Sequence, residues 1–272
     1  MTDADAAPTG RWLEVADGVR ARRHAELDLT TGLVLGSDRA LVIDTRGDRR
    51  QGAELAEAVR AETSLPCDVV LTHGHFDHCF GTAAFRPASV WAHQGCATYL
   101  RGHAERQRAE WVAHYRREGR ADVAEALAGT DVVLPDRPVT GSAEVDLGGR
   151  VVRLHHFGPA HTDHDLVVSV PDVAVVFAGD LVEQGAPPDF EDADPRNWPT
   201  ALSGVLALRP EIVVPGHGTP VDAEFVRGQR DELVRLADVC ARHARGELTT
   251  GEALRHSPYP AGTAEQALRN FH

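Results

Sequence analysis

The chain contains no lysine, no C-x-x-C cysteine pair and no long apolar segment. All 28 of its basic residues are arginine, and against 41 acidic residues they leave the 272-residue chain with a net charge of −13. This acidic balance argues against a nucleic-acid partner, because proteins that bind nucleic acid neutralise its phosphates with a basic surface. No stretch approaches the ~20 apolar residues that a membrane-spanning helix needs. We therefore expect neither a nucleic acid nor a membrane as a partner.

The cysteines are scattered rather than paired: Cys67, Cys79, Cys96 and Cys240. This spacing argues against a disulfide framework and against a structural zinc knuckle. Segment 1–11 is acidic and rich in small residues, and it lacks the basic start and the apolar core of a secretory signal. We predict a disordered N-terminus there and a cytoplasmic protein, whose length and 42% hydrophobic content allow a sizeable core.

Segments with strand character alternate with helical segments in two rounds. The first round runs from a strand predicted at 12–19 to one at 89–92, and the second from 151–156 to 212–214. An amphipathic helix is predicted over 224–245, with shorter helices after it. This alternation predicts an α/β fold in which two sheets pack face to face with helices outside.

Residues 94–128 interrupt the alternation, because they have helical rather than strand character. Arginine and aromatic residues are interleaved there, which predicts one or two amphipathic helices. Two interpretations of this helical insert stay open. It is either a solvated helical face whose aromatic residues pack on the body, or a lid or wall that contacts a substrate.

The most distinctive segment, residues 73–78, directly follows the apolar run 68–71. Its potential metal ligands are His73, His75, Asp77 and His78. Imidazole and carboxylate groups bind zinc and similar first-row metals. Side chains alternate with a period of two in extended chain, so His73 and His75 can bind one ion together. Asp77 and His78 follow the turn and can approach a second point nearby.

Three later segments also place a potential ligand near the end of a predicted strand. His161 follows the strand 151–156, Asp180 closes the strand that begins at 173, and His217 follows the strand 212–214. Glycine close to each of these ligands permits tight turns and close backbone approach. The five histidines and two aspartates together make up the number of ligands that two metal ions need.

This series, H-x-H-x-D-H and then His, Asp and His, resembles that of the metallo-β-lactamase superfamily over roughly residues 12–220. The resemblance implies an αββα sandwich of two mixed β-sheets with outer helices. The helices of 221–272 lie beyond the resemblance, and we expect them to pack on the same domain. It implies that one ion is held by His73, His75 and His161, a second by Asp77, His78 and His217, and that Asp180 bridges them. It also implies that Asp44 supports the ligand loop without touching the metal.

Two divalent ions in such a site, most simply Zn²⁺ although Fe or Mn would also fit, can share a hydroxide that attacks a carbonyl or phosphoryl centre. Asp77 would also orient this nucleophile or carry a proton. By resemblance, Asp180 is typical of glyoxalase II-like thioesterases, lactonases and phosphodiesterases, whereas the best-known zinc β-lactamases have Cys or Ser there. We predict hydrolysis of an ester, thioester or lactone of a small molecule.

Two alternatives to this activity stay open. One is β-lactam hydrolysis, although Glu183 lies where some lactamases place a substrate-binding lysine. The other is the chemistry of a mononuclear iron persulfide dioxygenase. The sequence decides neither the physiological substrate nor whether the chain forms an oligomer.

Overall fold

Two β-sheets lie face to face between layers of helices in the computed structural model, which describes residues 10–271. The predicted disorder of segment 1–11 falls largely on residues 1–9, which lie outside the described residues. The first sheet contains β1 (Trp12–Ala16), β2 (Val19–Arg23), β3 (Thr30–Leu35), β4 (Ala40–Ile43), β5 (Cys67–Val70), β6 (Val90–His93) and β7 (Arg137–Val139). The second contains β8 (Ser142–Asp146), β9 (Val151–His155), β10 (Val167–Val170), β11 (Val175–Glu183) and β12 (Ile212–His217).

The described α-helices are α1 (Arg49–Glu62), α2 (Phe76–Cys79), α3 (Gln94–Arg117), α4 (Ala121–Ala128), α5 (Trp198–Ala207), α6 (Ala223–Ala244), α7 (Thr250–His256) and α8 (Ala261–Asn270). Short 3-10 helices lie at Phe80–Phe85 and Pro171–Val173. The stretch predicted as a helical insert, 94–128, is occupied by α3 and α4, with α3 the longest helix among the described residues. Within residues 10–271, no helix is both long and apolar enough to cross a bilayer.

Both sheets are mixed. In the first sheet the strands lie in chain order; β1 to β4 pair antiparallel, whereas β4 to β7 pair parallel. In the second the order is β12-β11-β10-β9-β8, and only β11 and β12 are parallel. The predicted α/β sandwich of two mixed sheets with outer helices is confirmed.

Alternation along each strand sends successive side chains into two different cores. In β4, Leu41 and Ile43 enter the core between the sheets, while Val42 packs on the opposite side with residues of α1 and α3. In β10, Val168 enters the core between the sheets and Val167 joins the core formed with α5, α6 and α8. Strands covered on both faces are continuously apolar, which explains the short hydrophobic runs of the sequence.

The structure corrects three strand predictions. The strand predicted at 12–19 is the start of a hairpin, in which β1 and β2 are joined at Gly18 with a φ of +64°. The edge strands β7 and β8 were missed, because they are short and several of their side chains are exposed or charged. The third concerns β11, which was expected to end at Asp180 but continues to Glu183.

Candidate metal centre

The seven residues that the sequence singled out converge where β5, β11 and β12 meet the loop after β9. Their potential ligand atoms form two clusters, each spanning no more than 4.8 Å. The first group consists of His73, His75 and His161, and the second group consists of Asp77, His78 and His217. Asp180 clusters with the first group and also lies close to the second.

Asp180 occupies the centre of the site because β11 is irregular around it. The pairing of β11 with β12 shifts register on both sides of Gly179, which has a φ of +53°. On the facing strand only glycine fits next to His217, since a Cβ at Gly216 would lie 1.8 Å from Asp180 Oδ1. A strand interior, rather than the strand end that we predicted, therefore presents this carboxylate.

Each histidine of the two groups has one ring nitrogen beside a protein oxygen. These contacts are His73 Nδ1 to Thr72 Oγ1 at 3.1 Å, His78 Nδ1 to Asp44 Oδ2 at 2.8 Å, His161 Nδ1 to Asp189 O at 3.3 Å, His217 Nδ1 to Leu27 O at 2.7 Å, and His75 Nε2 to Asp192 Oδ2 at 3.3 Å. Such contacts fix the tautomer and the ring plane. The second nitrogen of every ring is left for the centre of the site.

The inward nitrogens crowd together in a way that suits a cation. His161 Nε2 lies 3.0 Å from His75 Nδ1, and His78 Nε2 lies 3.3 Å from His217 Nε2. His73 Nε2 is buried and makes no hydrogen bond within the described chain. Lone pairs that face one another at such distances repel unless a proton or a metal ion lies between them. Nitrogen and carboxylate donors at this spacing fit zinc or a related divalent ion.

Asp180 contacts both groups at once. Its Oδ1 lies 3.1 Å from His78 Nε2, and its Oδ2 lies 3.3 Å from His217 Nε2 and 3.6 Å from His161 Nε2. Burial disfavours the charged carboxylate, but the surrounding imidazoles hold the pKa of Asp180 well below its ordinary value. One carboxylate thus lies within contact distance of both groups.

The two groups differ in the pKa values of their imidazoles. Burial lowers the pKa of His161 to about 3, and burial with the nearby His78 lowers that of His73 far below its ordinary value. Burial acts in the same direction on His78 and His217, yet nearby carboxylates outweigh it. Asp180 and Asp77 raise the pKa of His78 well above normal, and Asp180 raises that of His217 to about 10. A cation must therefore displace protons from the second group.

Asp44 links β4 to the ligand loop. Its Oδ1 accepts a hydrogen bond from Thr72 N at 2.7 Å, and its Oδ2 accepts one from Thr72 Oγ1 at 2.7 Å and contacts His78 Nδ1. The residue is 1% exposed and has a φ of +60°. Aspartate tolerates this left-handed backbone better than most residues.

The sequence analysis did not predict four groups of contacts around the potential ligands. Tyr99 Oη donates to Asp192 Oδ2 at 2.7 Å, which places Asp192 beside His75. Gln107 of α3 accepts from Phe76 N at 3.0 Å and donates to Gly74 O at 3.1 Å. Gly74 N donates to His164 Nε2, and Gln229 of α6 accepts from Glu183 N and donates to Leu181 O. Tyr99 and Gln107 lie about two helical turns apart, a spacing that could have indicated a site-facing side of α3.

A cavity of about 430 Å³ opens onto both groups. Helix α3 forms one wall with Tyr99, Gln107 and Trp111, and the loop after β11 forms another with Pro187. Phe76 packs against Trp111 with ring centroids 4.4 Å apart. The cavity has the size of a small-molecule site, and an apolar wall faces the polar centre.

Known proteins support this interpretation of the fold. A metallo-beta-lactamase type 2 from Bacillus cereus is 26% identical over 196 residues, which cover 70% of this chain and 67% of that protein. A probable hydroxyacylglutathione hydrolase glo2 from Schizosaccharomyces pombe is 31% identical over 110 residues, 37% of this chain and 43% of that one. The chain thus spans about two thirds of the Bacillus relative.

Solved structures share the fold at low sequence identity. The sec-alkylsulfatase Pisa1 from Pseudomonas sp. matches 94% of this chain and 49% of its own with a TM-score of 0.77 at 15% identity. A metallo-beta-lactamase from Pontibacter korlensis matches 82% of this chain and 98% of its own with a TM-score of 0.67 at 19% identity. The sequence pattern of one family matches residues 28–217, more than half of the chain. The chain belongs to the metallo-beta-lactamase superfamily and is a metal-dependent hydrolase.

Proposed function

We propose that this protein is a binuclear metallohydrolase that cleaves an ester, thioester or lactone bond of a small molecule, with Zn²⁺ as the metal. The observation that carries the proposal is the position of Asp180, whose carboxylate oxygens lie within 3.1 to 3.7 Å of donor nitrogens from both groups. A carboxylate shared in this way favours two adjacent ions over a single one.

Each group has a distinct part in this proposal. His73, His75 and His161 would hold one ion, and Asp77, His78 and His217 the other, with Asp180 contacting both. The bound ions would supply the Lewis acidity that activates water near neutral pH and polarises the carbonyl under attack. The protein holds the donor atoms in place through the outer contacts of each imidazole ring, and Asp44 does so for His78.

Asp77 is our proposed proton carrier. It lines the cavity, and its Oδ2 lies 3.4 Å from His217 Nε2 and 3.7 Å from His78 Nε2. A carboxylate at the cavity wall can accept a proton from the attacking water and return it to the leaving group. Phe76 and Trp111 would hold the apolar part of the substrate away from bulk water.

A second candidate activity is β-lactam hydrolysis, which the similarity to the Bacillus cereus protein favours. Two features of the site oppose it. Asp180 occupies the position where the best-known zinc β-lactamases have Cys or Ser, and the neighbouring Glu183 brings a carboxylate rather than a lysine ammonium into the cavity wall. Glu183 therefore offers no cation to bind the carboxylate that penicillins and cephalosporins carry.

Metal analysis by mass spectrometry and a substrate panel test the proposal together. We expect two zinc ions per chain and faster hydrolysis of thioesters, esters or lactones than of a chromogenic cephalosporin or a phosphodiester. A protein that is saturated with one ion per chain would overturn the binuclear proposal. Faster cephalosporin hydrolysis would establish the second candidate, and oxygen consumption by a single iron would indicate a dioxygenase.

A further inference from the structure

Glu183 is a buried carboxylate for which the proposed reaction has no use. It is the last residue of β11, is 8% exposed and lines the cavity. One of its carboxylate oxygens lies within 4.8 Å of the ligand atoms of Asp180 and His217. Within the described chain its side chain makes neither a hydrogen bond nor an ion pair, since only its backbone nitrogen is bonded, to Gln229. Its carboxylate therefore faces the cavity without a partner from the described chain.

The cavity around Glu183 is strongly acidic. Besides Asp77 and Asp180, six carboxylates of the described chain line it: Asp28, Glu110, Glu183, Asp189, Glu191 and Asp192. Arg106 is the single arginine among the described lining residues, and its Nε lies 3.9 Å from Glu110 Oε1. The wall outside the two donor groups is therefore suited to a positive charge and unfavourable to a negative one.

We propose that the cavity selects substrates that carry a positively charged ammonium group close to the scissile bond, and that Glu183 binds this group. The inference rests on the proposed hydrolytic function and adds the class of substrate. An ammonium group would form an ion pair with the Glu183 carboxylate, and an ion pair in a poorly solvated wall is stronger than one in water. Phe76 and Trp111 accept the apolar remainder of the substrate.

The same carboxylate has one competing assignment, which is a further metal ligand. Asp180, Glu183 and His217 do form a cluster that could hold an ion. However, Asp77, His78, His217 and Asp180 already surround the second position, so Glu183 would be a surplus ligand there. Substrate selection and metal binding make opposite predictions for the metal content of a Glu183 variant.

Three thioacetates that differ in charge test the inference on the zinc-loaded protein: acetylthiocholine, its neutral isostere 3,3-dimethylbutyl thioacetate, and the anionic S-acetyl-3-mercaptopropionate. We expect kcat/KM to fall in this order, with about a tenfold difference between the first two, the size expected of one partly shielded ion pair. In Glu183→Gln the preference should fall below about twofold at unchanged zinc content. Glu57→Gln, on the exposed side of α1, is the matched control and should keep the tenfold preference.

Other outcomes would overturn either the role of Glu183 or the hydrolytic function. Equal kcat/KM for acetylthiocholine and its neutral isostere would overturn the inference and leave the hydrolytic function standing. Loss of zinc from Glu183→Gln would assign Glu183 to metal binding and overturn it as well. If no thioacetate or other panel substrate is hydrolysed, the proposed function fails. In that case, calorimetry measures the binding of choline and of 3,3-dimethylbutanol to the protein and to Glu183→Gln. Choline binding that does not depend on Glu183 would overturn the inference.

Discussion

The two groups of potential metal ligands contain similar side chains in different electrostatic surroundings. In the first group, His73 and His161 are buried and have lowered pKa values, and only His75, beside Asp192, has a raised pKa. In the second group, carboxylates raise the pKa values of both His78 and His217. The first group is therefore largely neutral before a metal binds, whereas the second already holds positive charge.

This difference bears on the proposed binding of two adjacent cations. His73 and His161 of the first group are neutral and provide donors without a proton to displace. At the second, protons occupy the places that a cation would take, and the carboxylates of Asp77, Asp180 and Asp44 neutralise whichever positive charge is present. Metal binding at the second position is therefore coupled to proton release.

Removing the residue that both groups share should have the largest effect. We expect Asp180→Ala to lower kcat/KM for a thioester by about 10³-fold and to reduce bound zinc from two ions per chain to one or fewer, because both positions lose a ligand. Asp172→Ala is the control, since Asp172 is exposed in the turn that precedes β11. Comparable activity of the two variants would mean that the reaction does not depend on Asp180.

A pH titration of zinc affinity should separate the two groups. Protons compete with the metal, and in the metal-free protein the pKa of His217 is about 10 and that of His78 is well above normal. We expect the affinity of the second group to rise by about 10²-fold per pH unit from pH 6 to 8, since about two protons leave, and that of the first group by about tenfold or less.

Two variants allow this titration to be assigned, because His73→Ala weakens the first group alone and His78→Ala the second alone. Chelator competition measures the affinity, and an indicator dye in weak buffer counts the protons released. Identical pH slopes in the two variants would contradict the electrostatic difference between the groups.

Asp44 and Asp192, which contact a histidine of the second and of the first group respectively, should differ in their effect on zinc affinity. Asp44 is 1% exposed and contacts His78, while the side chain of Asp192 is 30% exposed and contacts His75 at 3.3 Å. We expect Asp44→Asn to weaken zinc binding at the second group by about 10- to 100-fold, and Asp192→Asn to have a smaller effect at the first. Asparagine keeps the shape and tolerates the positive φ of Asp44. A larger effect from Asp192→Asn would reverse this ranking.

The smallest expected effects concern two glutamines that clamp the backbone next to the ligands. Gln107 holds Gly74 and Phe76 from α3, and Gln229 holds Leu181 and Glu183 from α6. Gln107→Ala leaves Gly74 O and Phe76 N unpaired. Gln229→Ala leaves Glu183 N unpaired, whereas Leu181 O keeps the hydrogen bond from Trp198 Nε1. Each substitution should therefore lower the free energy of unfolding by about 1–3 kcal/mol. Denaturant titration of the zinc-loaded variants measures this. Unchanged stability would mean that water replaces the clamp.

Much of the site was predictable because its residues carry local signals. The hexapeptide 73–78 places four potential ligands in one loop, and His161 and His217 lie at or just beyond strand ends that the apolar pattern reveals. The fold class followed from the same alternation of strands and helices. The edge strands β7 and β8 gave no such signal, since each has a face that is not covered by a core.

The supporting residues were not predictable for a different reason. Asp192 is separated from His75 by 117 residues, and Gln229 from Leu181 by 48. Neither has a motif, because a carboxylate or an amide becomes a support only where packing brings it to a ligand or to the backbone beside one. Glu183 was noticed only through resemblance, and its burial without a partner is a property of the folded wall.

By itself, the sequence determined which donor atoms this protein has and that they come at the ends of, or beside, buried strands. Periodicity and residue chemistry are local properties that survive in a one-dimensional pattern. Only the tertiary structure decided that Asp180 lies between two groups, which nitrogen of each histidine faces the centre, and which carboxylates surround them. These depend on the packing of two sheets and on the register shift in β11, where contacts between distant segments fix positions to within an ångström.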